Sequence, residues 1–240
     1  MICPVCHFDV QQHGWLVWRG PEGPDGKGNY RRYGDMIPCQ HNEQVVDKTL
    51  VLLCGLSAEE QSVRLGDYWP ITGREKAVKA ARAMASQWTG MLGLQGGPGC
   101  GKSRLLMALA NEARVQRYDS LYCTLPSLLE HLRSTYNSDT PGTSDLLSRV
   151  SRVKMLCIDE LDKPSPTPWV VEKFATIMDE RYRGSLLRAT AVAFNDAEKV
   201  PNYILSRLRE YGMIQVTCGD IRPRLKELRV AMQPVADAPF

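Results

Sequence analysis

Apolar positions between residues 75 and 229 follow two alternating rhythms. Compact apolar runs at residues 91–95, 120–125, 153–158, 189–194 and 213–217 read as short buried strands. Between them, apolar residues fall three and four apart at 75–87, in the stretch beginning at Ser103, and at 126–136, 143–152, 169–182 and 203–211. That spacing puts them on one side of a helix. Residues 137–142 and the proline-rich stretch 163–168 read as loops, and residues 222–229 as a closing basic helix. Strands alternating with helices predict the α/β fold class, with a five-stranded parallel sheet covered by helices on both faces. The rhythm is lost before about residue 55, where the glycine- and proline-rich stretch 20–29 suits no regular element. This divides the chain into a small N-terminal module (1–55), a linker (56–75), the main domain (76–233) and a tail (234–240). No internal repeat is visible.

Composition adds a compartment. The chain has 240 residues, 43% hydrophobic and 24% charged, with a net charge of +3, as in an ordinary globular protein. The start, Met1-Ile2-Cys3-Pro4-Val5-Cys6, lacks the basic-then-apolar pattern of an export signal. The apolar run Leu50-Val51-Leu52-Leu53-Cys54 is too short to span a bilayer. Eight cysteines without an export signal indicate a reducing, cytoplasmic setting, where thiols bind metal or fill core. No membrane association is expected.

The most informative run is Gly96-Gly97-Pro98-Gly99-Cys100-Gly101-Lys102-Ser103, which fits G-x-x-x-x-G-K-[ST]. Glycines allow consecutive backbone N–H groups to converge on phosphate oxygens. Lys102 adds a cation near the β- and γ-phosphates, and the Ser103 hydroxyl becomes a Mg²⁺ ligand. The run lies between a strand and a helix, so the phosphates of ATP would meet a helix N-terminus. The third strand ends in Leu156-Cys157-Ile158-Asp159-Glu160. Asp159 at the carboxyl edge of the sheet can hold Mg²⁺, and Glu160 can deprotonate an attacking water. Asn195, ending the fourth strand, can bond the γ-phosphate or that water; taken alone, it equally opens a turn. Arg207 on a helix and Arg222 beyond the last strand can grip phosphate, though taken alone each is more often a solvated charge.

In this order, Gly96–Ser103, Asp159-Glu160, Asn195, Arg207 and Arg222 resemble the AAA+ ATPase plan of Walker A, Walker B, first sensor, arginine finger and second sensor. The stretch Leu128-Leu129-Glu130-His131-Leu132-Arg133-Ser134-Thr135-Tyr136, followed by Leu146-Leu147 and Cys157-Ile158-Asp159-Glu160-Leu161, narrows the resemblance. So does the ending Ser206-Arg207-Leu208…Gly219-Asp220-Ile221-Arg222. Together they resemble DnaC-type helicase loaders and the related IstB-type transposition helper ATPases, over about residues 73–229. The resemblance implies ATP hydrolysis, homo-oligomers sharing the ATP site through Arg207, assembly on single-stranded DNA, and delivery of a DnaB-like replicative helicase. In the IstB branch the partner is a transposase. A small-molecule P-loop kinase is the alternative from a different class. Ile221-Arg222-Pro223 departs from the family's second-sensor motif, which leaves Arg222 and Arg224 both open. The resemblance also implies DNA contacts in the region of Arg133, Tyr136, Arg149, Arg152 and Lys154, where ordinary surface charge and a core Tyr136 are the other reading.

The N-terminal module carries Cys3-Pro4-Val5-Cys6-His7 and Cys39-Gln40-His41. Two such pairs suit tetrahedral Zn²⁺ on Cys3, Cys6, Cys39 and His41, with His7 or Cys54 as the alternative fourth ligand. Zinc would order a segment with little core, and its position before the ATPase suits partner docking. Haem attachment needs export, and no thioredoxin-like unit surrounds the cysteine pair. Cys100 reads as a small filler, and Cys123, Cys157 and Cys218 as core.

Overall fold

The computed structural model describes residues 56–68, 71–134, 143–165 and 167–223, together with the backbone of five short strands nearer the N-terminus. Of these strands, β1 (Val10–Gln11), β2 (Trp15–Val17) and β5 (Met36–Pro38) pair antiparallel in the order β1-β2-β5. The other two, β3 (Gly23–Pro24) and β4 (Tyr30–Arg31), pair with each other. The glycine-rich stretch therefore contains a two-residue strand, because its partner supplies the hydrogen bonds that its own composition does not favour. Cys3, Cys6, Cys39 and His41, and the alternatives His7 and Cys54, lie outside the described residues.

The main sheet consists of β6 (Gly90–Gly96), β7 (Ser120–Thr124), β8 (Met155–Asp159), β9 (Ala189–Phe194) and β10 (Met213–Val216). Its order is β10-β6-β9-β8-β7 and every neighbouring pair is parallel. Every residue of β8 and β9 is buried, as expected of strands covered on both faces.

Each helix follows from its apolar spacing and its ends. In α2 (Glu75–Gln87), Ala77, Ala81 and Met84 are buried four and three apart. Trp88 ends it in the left-handed region (φ 53°) and donates its indole N–H to Gln116. The helix after the P-loop is α3 (Lys102–Val115), and the next is α4 (Leu125–Ser134). The latter starts within the expected strand because the Thr124 hydroxyl accepts the Ser127 N–H and turns the chain. Beyond lie α5 (Thr143–Arg152), α6 (Pro168–Arg183) and α7 (Asn202–Tyr211). Thr167 caps α6 by accepting the Val170 N–H, with Pro168 in the first turn.

Two features differ from the reading of the sequence. Strand β8 begins at Met155 rather than Val153, because the carbonyls of Ser151 and Val153 are taken by the guanidinium of Arg181. Arg181 is fully buried, and its remaining N–H groups go to the Thr190 hydroxyl and the Ala189 carbonyl. It thereby ties α6 to the ends of α5, β8 and β9. Residues 56–68, expected as linker, are packed into the core of the main domain. Helix α1 (Ala58–Ser62) carries a Ser57/Glu60 capping box, and the Asn111 amide donates to the carbonyls of Glu60 and Val63. Val63, Leu65 and Tyr68 are buried.

Candidate nucleotide site

The loop from β6 to α3 has glycine where no other residue fits. Gly99 and Gly101 hold φ of 75° and 90°, and Gly101 is the N-cap of α3. A Cβ on Gly96 would lie 2.5 Å from the Val216 carbonyl oxygen, and one on Gly99 would lie 2.1 Å from the Asp220 carboxylate. The loop is thus pressed between its own helix and the segment that follows β10. Cys100 is buried beneath it and donates its thiol to the Gly97 carbonyl. Gly97 and Pro98 are exposed, as is Ser103 in the first turn of α3. Lys102 is 7% exposed, and its ammonium donates to the carbonyls of Gly96 and Gly97 at 2.8 Å. A third bond, at 2.9 Å, goes to the Asn195 amide oxygen. Lys102 and Asn195, 93 positions apart, therefore meet at the carboxyl edge of β6 and β9.

On the same edge, Asp159 ends β8 and is 4% exposed. Its Oδ2 accepts the Tyr122 hydroxyl at 3.1 Å and its Oδ1 accepts the Glu160 N–H at 2.8 Å. Burial, then the charge of Asp159, pushes the Tyr122 hydroxyl far above its ordinary range, so it remains a donor. Glu160 adopts a left-handed backbone conformation (φ 58°), which bends the chain out of the strand. A non-glycine residue there stores strain of about 1–2 kcal/mol. The bend is held by the Leu161 N–H on the Ala193 carbonyl and the Lys163 N–H on the Glu160 carbonyl. Asp162 then accepts the Asp196 N–H and joins this turn to the one after Asn195.

Four contributors went unmarked in the sequence: Tyr122, Asp162, Asp220 and Arg74. Arg74 is 5% exposed, lies over the Tyr68 ring at 4.8 Å, and its Nη1 comes within 3.1 Å of where a Cβ on Gly101 would stand. Asp162 alone had a signal, as a carboxylate in the turn after Asp159-Glu160. The others depend on contacts between distant segments.

The expected arginines are placed differently. Arg207 lies between the rings of Tyr182 and Tyr203, 5.0 and 5.6 Å from their centroids, and pairs with Asp179. These partners are on α6 and α7, so Arg207 does not join Lys102, Asp159, Glu160 and Asn195. Arg222 is exposed, and its N–H donates to Asp220, while the Ile221 N–H donates to the Gly99 carbonyl at 3.1 Å. The second-sensor segment therefore rests on the P-loop; Arg224 lies outside the described residues. Among the residues expected near DNA, Arg149 pairs with Asp145, Arg133 stacks on Trp169, Lys154 donates to the Leu187 carbonyl, and Arg152 is exposed. Tyr136 lies outside the described residues. Cys123 and Cys157 are core, as expected, but Cys218 is only half-buried. No group of three or more potential metal ligands occurs among the described residues, nor any helix long and apolar enough to cross a membrane.

The family model "ATPase family associated with various cellular activities (AAA)" matches residues 92–215, just over half of the chain. The chain therefore belongs to the AAA ATPases, which sets aside the small-molecule kinase. It is 25% identical over 112 residues to the replicative helicase loader DnaC of Escherichia coli K12, covering 45% of this chain and 46% of that protein. The chain thus matches about half the length of that relative. Among solved structures, a DnaC helicase loader superposes with a TM-score of 0.57 at 17% identity, covering 67% of this chain and 99% of that one. DnaI gives 0.57 at 24% identity, covering 68% and 95%. The replication initiator DnaA bound to AMPPCP and single-stranded DNA gives 0.63 at 17% identity, covering 75% and 58%. These structural likenesses establish the AAA+ fold.

Proposed function

We propose that this protein is an ATP-hydrolysing loader that assembles on single-stranded DNA and delivers a replicative helicase. The observation that carries the ATPase part is the Lys102–Asn195 hydrogen bond, which brings the P-loop beside the strand edge bearing Asp159 and Glu160. The residues fit Mg²⁺-ATP: a loop in which Gly96 and Gly99 leave no room for a Cβ, an exposed Ser103 and a carboxylate fixed at Asp159. Ser103 and Asp159 would hold Mg²⁺, which supplies charge neutralisation at the phosphates. Loop N–H groups of residue 97 and residues 99–103 bind the phosphate oxygens, and Lys102 turns from the loop carbonyls to the transferring phosphate. Glu160 accepts the proton of the attacking water and Asn195 orients it. Arg207 acts on a neighbouring copy's site, and Arg222 or Arg224 on its own.

The loader part is supported by the DnaC similarity. Arg133, Arg149, Arg152 and Lys154 are the proposed contacts to the DNA backbone. Cys3, Cys6, Cys39 and His41 are the proposed zinc site of a helicase-docking module. Two measurements test the reading. Lys102→Ala should lose nucleotide binding, while Glu160→Gln should retain binding and lose hydrolysis; hydrolysis by Glu160→Gln at the wild-type rate refutes the Glu160 assignment. Incubated with ATP, the cognate replicative helicase and circular single-stranded DNA, the wild-type chain should leave helicase on the circles. Active ATPase without such delivery removes the loader role and favours a transposition helper.

A further inference from the structure

Two thiols unused by this chemistry meet at the P-loop. Cys100 Sγ is fully buried under the loop, 3.0 Å from the Gly97 carbonyl and 3.5 Å from the Lys102 ammonium. Cys218 lies two residues beyond β10 and donates its thiol to the Cys100 carbonyl at 3.3 Å. The pairing of β10 with β6, in which Val216 faces Gly96, explains the meeting: both cysteines lie just past the carboxyl ends of adjacent strands. A disulfide spans Cα atoms roughly 4.4–6.8 Å apart, and Cys218 Sγ already stands 3.3 Å from the Cys100 carbonyl oxygen. Cys123 and Cys157 sit within β7 and β8, three and two strands away from β6, and do not compete for this contact.

We propose that Cys100 and Cys218 form a reversible thiol modification site, a disulfide that ties the P-loop to the segment after β10 and weakens nucleotide binding. The inference rests on the nucleotide site described above. A disulfide such as oxidised glutathione is the oxidant. Half-buried Cys218 loses its proton and attacks one glutathione sulfur, releasing the first glutathione thiolate. Cys100 then gives up its proton, attacks the Cys218 sulfur and releases the second. Two cysteine thiols are oxidised to one S–S bond, and one oxidised glutathione is reduced to two thiols. Burial holds the Cys218 thiol up, so the first attack is the slower step.

The consequence follows from the bonds that must be given up. Cys100 Sγ leaves the Gly97 carbonyl and Cys218 Sγ leaves the Cys100 carbonyl, both within the phosphate cradle. The loop is already held from that side by the Ile221 N–H on the Gly99 carbonyl. A covalent second tether prevents residues 99–101 from turning their N–H groups inward. Loss of one charge-assisted phosphate bond corresponds to about tenfold weaker binding or more.

The test uses the full chain treated with oxidised glutathione, then with dithiothreitol. A fluorescent ATP analogue reports affinity, and mass spectrometry of non-reduced digests reports the linked peptides. Oxidised wild type should yield the Cys100–Cys218 link and bind at least about tenfold more weakly, with recovery on reduction. Cys218→Ser, which keeps a donor for the Cys100 carbonyl, should bind as the reduced wild type does and ignore the oxidant. Absence of the linked peptide overturns the pairing, and a linked chain with unchanged affinity overturns the control. If the reduced wild type binds no nucleotide, the ATPase reading fails, while the peptide map still decides the pairing.

Discussion

Replacing Gly99 by alanine tests whether the P-loop and the second-sensor segment are packed as one unit. Two terms contribute. Gly99 holds φ at 75°, which costs an L-residue about 1–2 kcal/mol. The new Cβ would stand 2.1 Å from Asp220 Oδ1 and 2.3 Å from its Cγ, closer than any real contact. Asp220 must therefore swing away, giving up its Oδ1 bond from the Arg222 N–H, worth about 0.5–1.5 kcal/mol. Gly99→Ala should lose roughly 2–3 kcal/mol in all, read from urea denaturation of the full reduced chain. In an Asp220→Ala background only the backbone term remains, so the cost should fall to about 1–2 kcal/mol. Equal cost in both backgrounds would mean that Asp220 does not pack on Gly99, and the account of this loop would be wrong.

Tyr122→Phe removes the donor that fixes Asp159 and leaves the ring in the core. The Mg²⁺ needed for half-maximal nucleotide binding should rise about three- to tenfold with no change in helical content; an unmoved Mg²⁺ dependence refutes this positioning role. In the N-terminal module, elemental analysis of the full chain should return about one zinc, lost in Cys3→Ser/Cys6→Ser. A folded, metal-free wild type rules the zinc site out.

Helices and strands were legible wherever local chemistry decides them. Residues 75–87 and 143–152 show full helical spacing, and both occur as expected. The P-loop was legible because its glycines answer a local steric demand. The placement of β9 between β6 and β8 was not, because a parallel strand reads the same wherever it is inserted. Yet that insertion brings Asn195 to Lys102. Tyr122 likewise gains its role only from Asp159 on the adjacent strand, and Cys218 its proposed one from Cys100 in the P-loop. Residues 56–68 looked like a linker because Val63, Leu65 and Tyr68 are too few to show a period, while α3 supplies the surface that buries them.

If Arg207 serves a neighbouring copy's site, as proposed, it first has to leave partners in its own chain. In the single chain it pairs with Asp179 and lies against Tyr182 and Tyr203. The Arg207 and Asp179 side chains are 26% and 43% exposed, so the ion pair is screened and worth about 0–1 kcal/mol. The ring contacts add about 0.5–1 kcal/mol each. Leaving these partners thus costs on the order of 1–3 kcal/mol, less than a bidentate grip on a multiply charged phosphate returns in a water-excluded interface. On the proposed reading, Arg207 stays at home until a neighbour presents a charged nucleotide, and the α6–α7 contact sets the threshold. Assembly would then depend on nucleotide because the arginine leaves Asp179 only for a more strongly negative partner.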